Sequence, residues 1–281
     1  MKQHHSFRWL LALVVVVAAG LFAVNVNRTR AAKQYINSTT PTFFVHGWGR
    51  SYHAEQHMTN AAKRAGVTNT VIWANVAKNN QVTFHGNIKK GARNPIIEVN
   101  LADNKQMSYK RDGRYVYDVV NAATQKWHFK RMNLVGHSMG NLDIAYYLLD
   151  YGQRSDLPKL NKQVAMAAHF NGGIGFGYPK GATDNAAGKP SKEESHFSEL
   201  EKLRTTYPKG AKVLNIYGDV KDGTHSDTEV PVESAKTMKY LVSPRAGSYQ
   251  EKEFTGKNAQ HSALHRNAKV DKVLIDFLWG K

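Results

Sequence analysis

The chain has 281 residues, no cysteine and a formal net charge of +17 at pH 7. The absence of cysteine excludes a disulfide framework, a thiolate nucleophile and a cysteine metal site. Lysine and arginine are scattered along the chain without a recognisable nucleic-acid-binding module. We interpret the positive charge as a solvated basic surface or, as a more specific alternative, as a surface that is attracted to an anionic cell envelope.

Residues 1–40 differ in character from the rest of the chain. Lys2 and Arg8 precede an almost uniformly apolar run over residues 9–26. As a helix this run would measure about 27 Å, close to the apolar thickness of a bilayer. The pattern predicts a retained membrane anchor, which we favour, or a cleaved signal peptide. Either would place the remainder, residues 41–281, on the outer face of the cell membrane or outside the cell, as one domain with a sizeable core.

The first predicted strand, residues 42–45, is short and apolar and runs directly into His46-Gly47-Trp48-Gly49. A strand that ends in His-Gly and a small loop is typical of serine hydrolases, in which the next backbone N–H stabilises a developing oxyanion. Here that donor is Trp48, and we expect His46 to contact the substrate beside it. A turn with a packed tryptophan is the structural alternative.

Hydrophobic periodicity indicates the elements that follow: a helix over residues 55–65, a strand over 69–76, two alternating segments over 81–88 and 95–102, and a helix over 110–126. We interpret the two alternating segments as a two-stranded excursion at the edge of the sheet. The last of these helices then crosses over into a buried strand at residues 132–135.

The buried strand is followed by Gly136-His137-Ser138-Met139-Gly140 and then by a helical pattern over residues 141–151. Between a strand and a helix, Gly-x-Ser-x-Gly lifts the serine hydroxyl above the sheet, and the glycines avoid collisions with neighbouring backbone. The positive end of the helix also favours an oxyanion. We therefore predict that Ser138 is a nucleophile and that the N–H of Met139 is the other oxyanion donor.

The second half of the chain continues to alternate between strands and helices. Residues 164–168 and 212–217 read as core strands, and residues 267–279 form an amphipathic pattern typical of a final helix. The alternation predicts a mostly parallel central sheet with helices on both faces.

Residues 171–206 interrupt this alternation. The segment is rich in glycine, lysine and serine and is too long for a simple connection between a strand and a helix. We predict a small cap insertion over the site, in which Ile174, Phe176 and Tyr178 contact an acyl chain. A surface insertion with no role in substrate binding is the alternative.

A serine nucleophile needs a base, and the base needs an acid that orients it. In this layout the acid follows a late strand and the histidine precedes the final helix. We favour Asp227 as the acid, with Asp219 and Asp222 as alternatives, because a helical pattern follows Asp227 and would hold its loop. We favour His261 over His265 as the base, since His261 follows a glycine-containing loop.

Four stretches resemble a known family: Phe44-Val45-His46-Gly47-Trp48-Gly49, Gly136-His137-Ser138-Met139-Gly140, Ser226-Asp227-Thr228-Glu229-Val230-Pro231-Val232-Glu233-Ser234-Ala235 and His261-Ser262-Ala263-Leu264-His265-Arg266-Asn267. The chain resembles the α/β-hydrolase superfamily, and more closely the exported cell-surface hydrolases of Gram-positive bacteria that are catalogued mainly as a domain of unknown function. The resemblance implies an α/β-hydrolase fold and a lipase-like or esterase-like activity on carboxylic esters without a cofactor. Relatives commonly have glycine where this chain has Thr228.

These observations together predict an exported serine esterase that acts on a small ester or a lipid. Its expected partners are that substrate and the cell envelope, reached through the N-terminal segment and the basic surface, and no nucleic acid is expected. The thirteen histidines form no convincing metal-binding pattern, because His53 and His57, although four residues apart, lack further ligands. An amidase or peptidase with the same triad, or a non-catalytic surface-binding module, remains an alternative.

Overall fold

The computed structural model describes residue 13, residues 15–17 and residues 34–281. The expected anchor or signal peptide lies for the most part outside these residues and stays a prediction. Among the residues described, no helix is both long enough and apolar enough to cross a membrane.

One sheet organises the described part of the chain. Its eight strands, in chain order, are β1 Thr42–Val45, β2 Val71–Val76, β3 Val82–His85, β4 Ile96–Leu101, β5 Arg131–His137, β6 Lys159–Met166, β7 Lys212–Asp219 and β8 Ser248–Thr255. They lie in the order β3-β2-β4-β1-β5-β6-β7-β8, with β3 antiparallel to β2 and the remaining pairs parallel. The predicted mostly parallel sheet is confirmed.

The interpretation of the two alternating segments as an edge excursion was wrong for the second of them. β3 does lie at the edge of the sheet, where it pairs with β2. β4, however, lies between β2 and β1 and pairs in parallel with both. Five of its six residues are buried, as in Ile96 and Val99, because helices cover both faces of the sheet at this position.

Helices cover both faces of the sheet. They are α1 Gln56–Arg64, α2 Tyr109–Trp127, α3 Gly140–Tyr151, α4 Phe197–Leu200, α5 Leu203–Thr206, α6 Val232–Lys236, α7 Met238–Val242, α8 His261–Leu264 and α9 Ala268–Trp279, all within residues 34–281. One core cluster contains buried side chains of α2 and α3, such as Val119 and Leu142, and the other contains those of α1 and α9, such as Met58 and Leu274.

The segment predicted as a cap divides into two parts in the structure. Residues 171–196 form turns and bridges, with Ile174 and Phe176 exposed. The second part carries α4 and α5, whose Phe197 and Leu203 are buried in the same core cluster as α2 and α3. The second part is therefore anchored in the core, whereas the first part presents apolar side chains to solvent.

The strand order places a crevice at the middle of the sheet. β1 has β4 on one side and β5 on the other, so the chain turns away in opposite directions from the carboxyl ends of β1 and β5. Ligands of open parallel sheets bind at such a point. Here those two strand ends carry the loop at His46 and the turn at Ser138.

A buried pair of carboxyl groups lies under this end of the sheet. Glu55, just before α1, is fully buried, and within residues 34–281 neither of its carboxyl oxygens has a hydrogen-bond partner. Burial, and secondly the charge of Glu98, raises the pKa of Glu55 from 4.5 to about 8. Burial likewise raises the pKa of Glu98, although Thr59 donates a hydrogen bond to it at 2.5 Å. Glu55 is therefore held neutral at pH 7.

We predict that Glu55→Gln stabilises the fold at alkaline pH but hardly at pH 5. The unfolded chain releases the Glu55 proton above its ordinary pKa of 4.5 and the folded chain retains it until about 8, so rising pH lowers the wild-type free energy of unfolding across this range. Glutamine does not ionise, so the variant avoids this loss of stability. We expect its free energy of unfolding to exceed that of the wild type by a few kcal/mol at pH 9. Urea unfolding at both pH values measures the difference.

The matched control for this measurement is Glu193→Gln, because Glu193 is exposed. It should leave the free energy of unfolding unchanged at both pH values. An equal effect of Glu55→Gln at pH 5 and pH 9 would contradict the raised pKa.

Candidate active site

The turn after β5 has the strained geometry of a nucleophile elbow. Ser138 has a φ of 52°, in the left-handed region that few non-glycine residues adopt. A Cβ at Gly136 would lie 2.9 Å from the backbone nitrogen of Asn141, and one at Gly140 would lie 2.3 Å from the carbonyl oxygen of Val45. Both glycines are therefore required by close backbone contacts, as the sequence pattern predicted.

Three side chains from distant parts of the sequence form a hydrogen-bonded line at this turn. Ser138 Oγ lies 2.9 Å from His261 Nε2, and His261 Nδ1 lies 2.8 Å from Asp227 Oδ2. His261 and Asp227 are 4% and 1% exposed, so water competes little for these hydrogen bonds. The backbone N–H of His261 also donates to the carbonyl oxygen of Asp227 at 2.7 Å. The two segments are thus joined through both main chain and side chain.

Of the three candidate aspartates, Asp227 is the one brought to the histidine. Its Oδ1 accepts the backbone N–H groups of Glu229 and Val230 at 3.0 and 2.7 Å, which leaves Oδ2 facing His261. Asp219 instead accepts the N–H and the ammonium of Lys221. The remaining candidate, Asp222, accepts the N–H and hydroxyl of Thr224.

The histidine that competed for the role of base packs behind the site. The ring of His265 lies 4.5 Å from that of His137, which in turn lies 5.1 Å from the ring of His261. His137 Nε2 donates to the carbonyl oxygen of His261 at 3.2 Å. Burial lowers the pKa of His265 to about 4 and that of His137 well below its ordinary value. Two neutral rings therefore support His261 from below.

The two predicted oxyanion donors border the cavity that opens above Ser138. Trp48 and Met139 both line it, and within residues 34–281 neither backbone N–H donates a hydrogen bond to another group. Gly47 permits the approach of the Trp48 loop, since a Cβ on Gly47 would lie 2.9 Å from the Cβ of Ser138. Both amides are available to a ligand atom in the cavity.

His46 lies outside this cavity, beneath the loop. It is buried, and its Nε2 accepts the backbone N–H of Leu101 at 3.1 Å while its Nδ1 lies 2.9 Å from the carbonyl oxygen of Gly47. Burial lowers the pKa of His46 to about 4, in keeping with a neutral ring that accepts at one nitrogen and donates at the other. His46 therefore joins the ends of β1 and β4, and its side chain does not line the cavity where we expected it to contact the substrate.

The cavity has a volume of about 620 Å³. Of the three residues expected to contact an acyl chain, Phe176 lines it. Ile174 is exposed two residues away, and the Tyr178 hydroxyl donates to the carbonyl oxygen of Ala182. Neither of these two is among the residues that line the cavity. Within the described part of the chain, no group of three or more histidine, cysteine, aspartate or glutamate side chains is placed to hold a metal ion.

Several residues of the cavity were not identified from the sequence: Arg50, Lys105, Met107, Tyr109, His169 and Glu229. His169 is buried beside Phe176, and burial lowers its pKa to about 3. Glu229 Oε2 lies 3.5 Å from His261 Nε2. The sequence could have indicated two of them. His169 and Glu229 follow the carboxyl ends of β6 and β7, which lie at the same end of the sheet as Ser138.

Comparison with known proteins agrees with this architecture. A family model described as an alpha/beta hydrolase of unknown function (DUF915) matches residues 29–281. The solved structure of the lin2722 gene product of Listeria innocua has a TM-score of 0.76 at 23% identity, covering 86% of this chain and 94% of that chain. A Lactobacillus plantarum WCFS1 protein, provisionally described as a cell surface hydrolase, has a TM-score of 0.66 at 20% identity, covering 85% and 89%.

At these identities the likeness to solved structures bears on the fold. A comparison with curated proteins finds no match. The family match covers almost all of the described chain and includes every side chain of the hydrogen-bonded line at Ser138. The chain therefore belongs to the alpha/beta hydrolase family DUF915.

Proposed function

We propose that the protein is a serine hydrolase that cleaves carboxylic esters through an acyl-enzyme. The observation that carries the proposal is the line from Ser138 Oγ through His261 to Asp227, with distances of 2.9 and 2.8 Å. A nucleophile, a base and an acid that orients the base are the groups that acyl transfer requires. The choice of ester rests on the resemblance of the sequence motifs to those of esterases.

In the proposed first step, Ser138 Oγ attacks the ester carbonyl while His261 Nε2 takes its proton. Asp227 holds the proton on His261 Nδ1, so that Nε2 carries the lone pair, and it stabilises the imidazolium that forms. The backbone N–H groups of Met139 and Trp48 would bind the oxyanion of the tetrahedral intermediate. Protonated His261 then gives its proton to the departing alcohol, which leaves an acyl group on Ser138.

In the second step, water takes the place of the alcohol. His261 accepts a proton from the water, the hydroxide attacks the acyl carbonyl, and the same amides stabilise the second intermediate. The carboxylic acid leaves and the proton returns to Ser138. The half-exposed Glu229 borders the cavity, with its Oε2 3.5 Å from His261 Nε2.

We further propose that the enzyme works at the cell envelope. The L. plantarum relative is provisionally described as a cell surface hydrolase, which supports this location. The predicted N-terminal anchor or signal peptide and the net charge of +17 would both favour an anionic envelope.

We predict that Ser138→Ala lowers kcat for p-nitrophenyl butyrate by at least about 10⁴-fold, because the nucleophile is lost while the oxyanion donors remain. Ser243→Ala, at an exposed serine after α7, is the matched control and should keep the wild-type rate. Urea unfolding should give the same midpoint for Ser138→Ala and wild type. Wild-type turnover by folded Ser138→Ala would exclude the mechanism.

We predict that Asp227→Asn lowers kcat by about 10³- to 10⁴-fold, since an amide at this position no longer fixes the His261 tautomer or its charge. Asp219→Asn replaces a buried aspartate that contacts Lys221, and it should change kcat less than about threefold. Steady-state rates below the unfolding temperature of both variants separate the two roles. A larger loss for Asp219→Asn would show that the acid is misassigned.

A further inference from the structure

Exposed apolar side chains concentrate at the mouth of the cavity above Ser138. Within residues 34–281, the exposed large hydrophobic residues are Trp48, Met107, Ile174 and Phe176. Three of them line the cavity, and the N–H of the fourth, Ile174, donates to the carbonyl oxygen of the cavity residue Glu229. Single exposed apolar residues are common, but their confinement to one rim indicates a surface that contacts an apolar ligand.

Two cations share this rim. The exposed Arg50 and Lys105 both line the cavity, and in the part of the chain described here neither forms an ion pair with a carboxylate. The Arg50 guanidinium instead lies 3.4 Å from the hydroxyl of Ser262, next to His261, and the Lys105 ammonium lies 5.9 Å from the centre of the Trp48 ring. Both positively charged side chains are therefore available to bind an anion.

The loops that carry the two cations are joined to each other. The N–H of Gly49 donates to the carbonyl oxygen of Asn104 at 2.7 Å, and the Asn104 side-chain amide donates to the carbonyl oxygen of Arg50 at 2.5 Å. The loop after β1 and the loop after β4 thus form one unit. The backbone positions of the two cations are therefore set by the fold before any ligand arrives, so that binding an anion at this rim would have to order only their side chains.

The described residues that line the cavity include one carboxylate beside the two cations of the rim. Among the residues lining it, the carboxylate is that of Glu229, 3.5 Å from His261 Nε2. It would repel an anionic group placed against the histidine. An anion is therefore favoured on the rim with Arg50 and Lys105, a short distance from the oxyanion donor Trp48.

We propose that the substrate of this site is an amphiphilic anionic ester. Its acyl chain would contact Trp48, Met107 and Phe176, and a phosphate or carboxylate a few bonds from the scissile ester would bind Arg50 and Lys105. This inference rests on the proposed esterase activity and names its substrate class. Hydrolysis consumes one water and releases the acyl chain as a carboxylic acid, while the anionic group stays on the alcohol product.

The test compares two substrates with the same acyl chains. Dihexanoyl phosphatidylglycerol carries a phosphate and dihexanoylglycerol does not, and both are used below the concentration at which they aggregate. We expect wild-type kcat/KM to favour the anionic ester by about tenfold, mainly through KM. The preference should shrink in 0.5 M NaCl, because salt screens exposed charges.

Arg50→Gln/Lys105→Gln should abolish this preference, and Lys105→Gln alone should reduce it without disturbing the contact of Arg50 with Ser262. Lys89→Gln is the matched control, because Lys89 is an exposed lysine near the amino ends of the strands, beside the start of β5. It should keep the preference. Equal urea midpoints for all variants establish that the comparison concerns binding.

The possible outcomes separate the two proposals. Wild-type protein that cleaves p-nitrophenyl butyrate but shows no preference for the anionic ester, or cleaves neither hexanoyl ester, overturns this inference and leaves the esterase proposal standing. A preference that survives in the double variant also overturns it. Failure to cleave any of the three esters overturns the esterase proposal itself.

Discussion

The backbone at Ser138 is held in a conformation that a serine adopts only when its surroundings impose it, and the centre of the sheet supplies those surroundings. β1 and β5 lie side by side, so the Gly47 loop meets the turn directly, and Gly140 lies against the last carbonyl of β1. A left-handed serine costs on the order of 1–2 kcal/mol. The pairing of β5 with the buried parallel strands β1 and β6 offsets this cost. As a result, the Ser138 hydroxyl projects from the sheet into the cavity.

His261 and Asp227, the proposed base and acid, depend on a different kind of constraint, because they come from loops. His261 and Asp227 are separated by 34 residues, yet a main-chain and a side-chain hydrogen bond join them. Both backbone N–H groups that Asp227 Oδ1 accepts come from its own loop, which fixes the carboxylate before His261 meets it. The neutral ring of His137 then fills the space beneath His261 without adding a competing charge. Each member of the line is thus positioned by contacts within the protein.

The hydrophobic pattern of neighbouring residues was enough to predict those strands and helices whose apolar side chains face the core at regular intervals. β1 and α3 follow from apolar runs and helical spacing, and the glycines around Ser138 follow from the motif. Long-range pairing was not visible in the same way: β4 alternates like an edge strand but is buried between two neighbours, and the polar β8 carries no apolar run because one side of it is open. Cavity residues such as Arg50 and His169 come together only through strand order, which no local spacing specifies.

Thr228 shows how a local cost can be offset by a contact across the site. Thr228 has a φ of 85°, where a β-branched residue is strained by on the order of 1–2 kcal/mol. Its hydroxyl oxygen, however, accepts the side-chain amide of Gln260 at 3.2 Å, and the oxygen of that amide accepts the N–H groups of Ser262 and Ala263 at the start of α8. Glycine would relieve the strain and lose the hydrogen bond, worth about 0.5–1.5 kcal/mol. The threonine therefore couples the loop of Asp227 to the helix that begins at His261, and the strained turn helps to position His261.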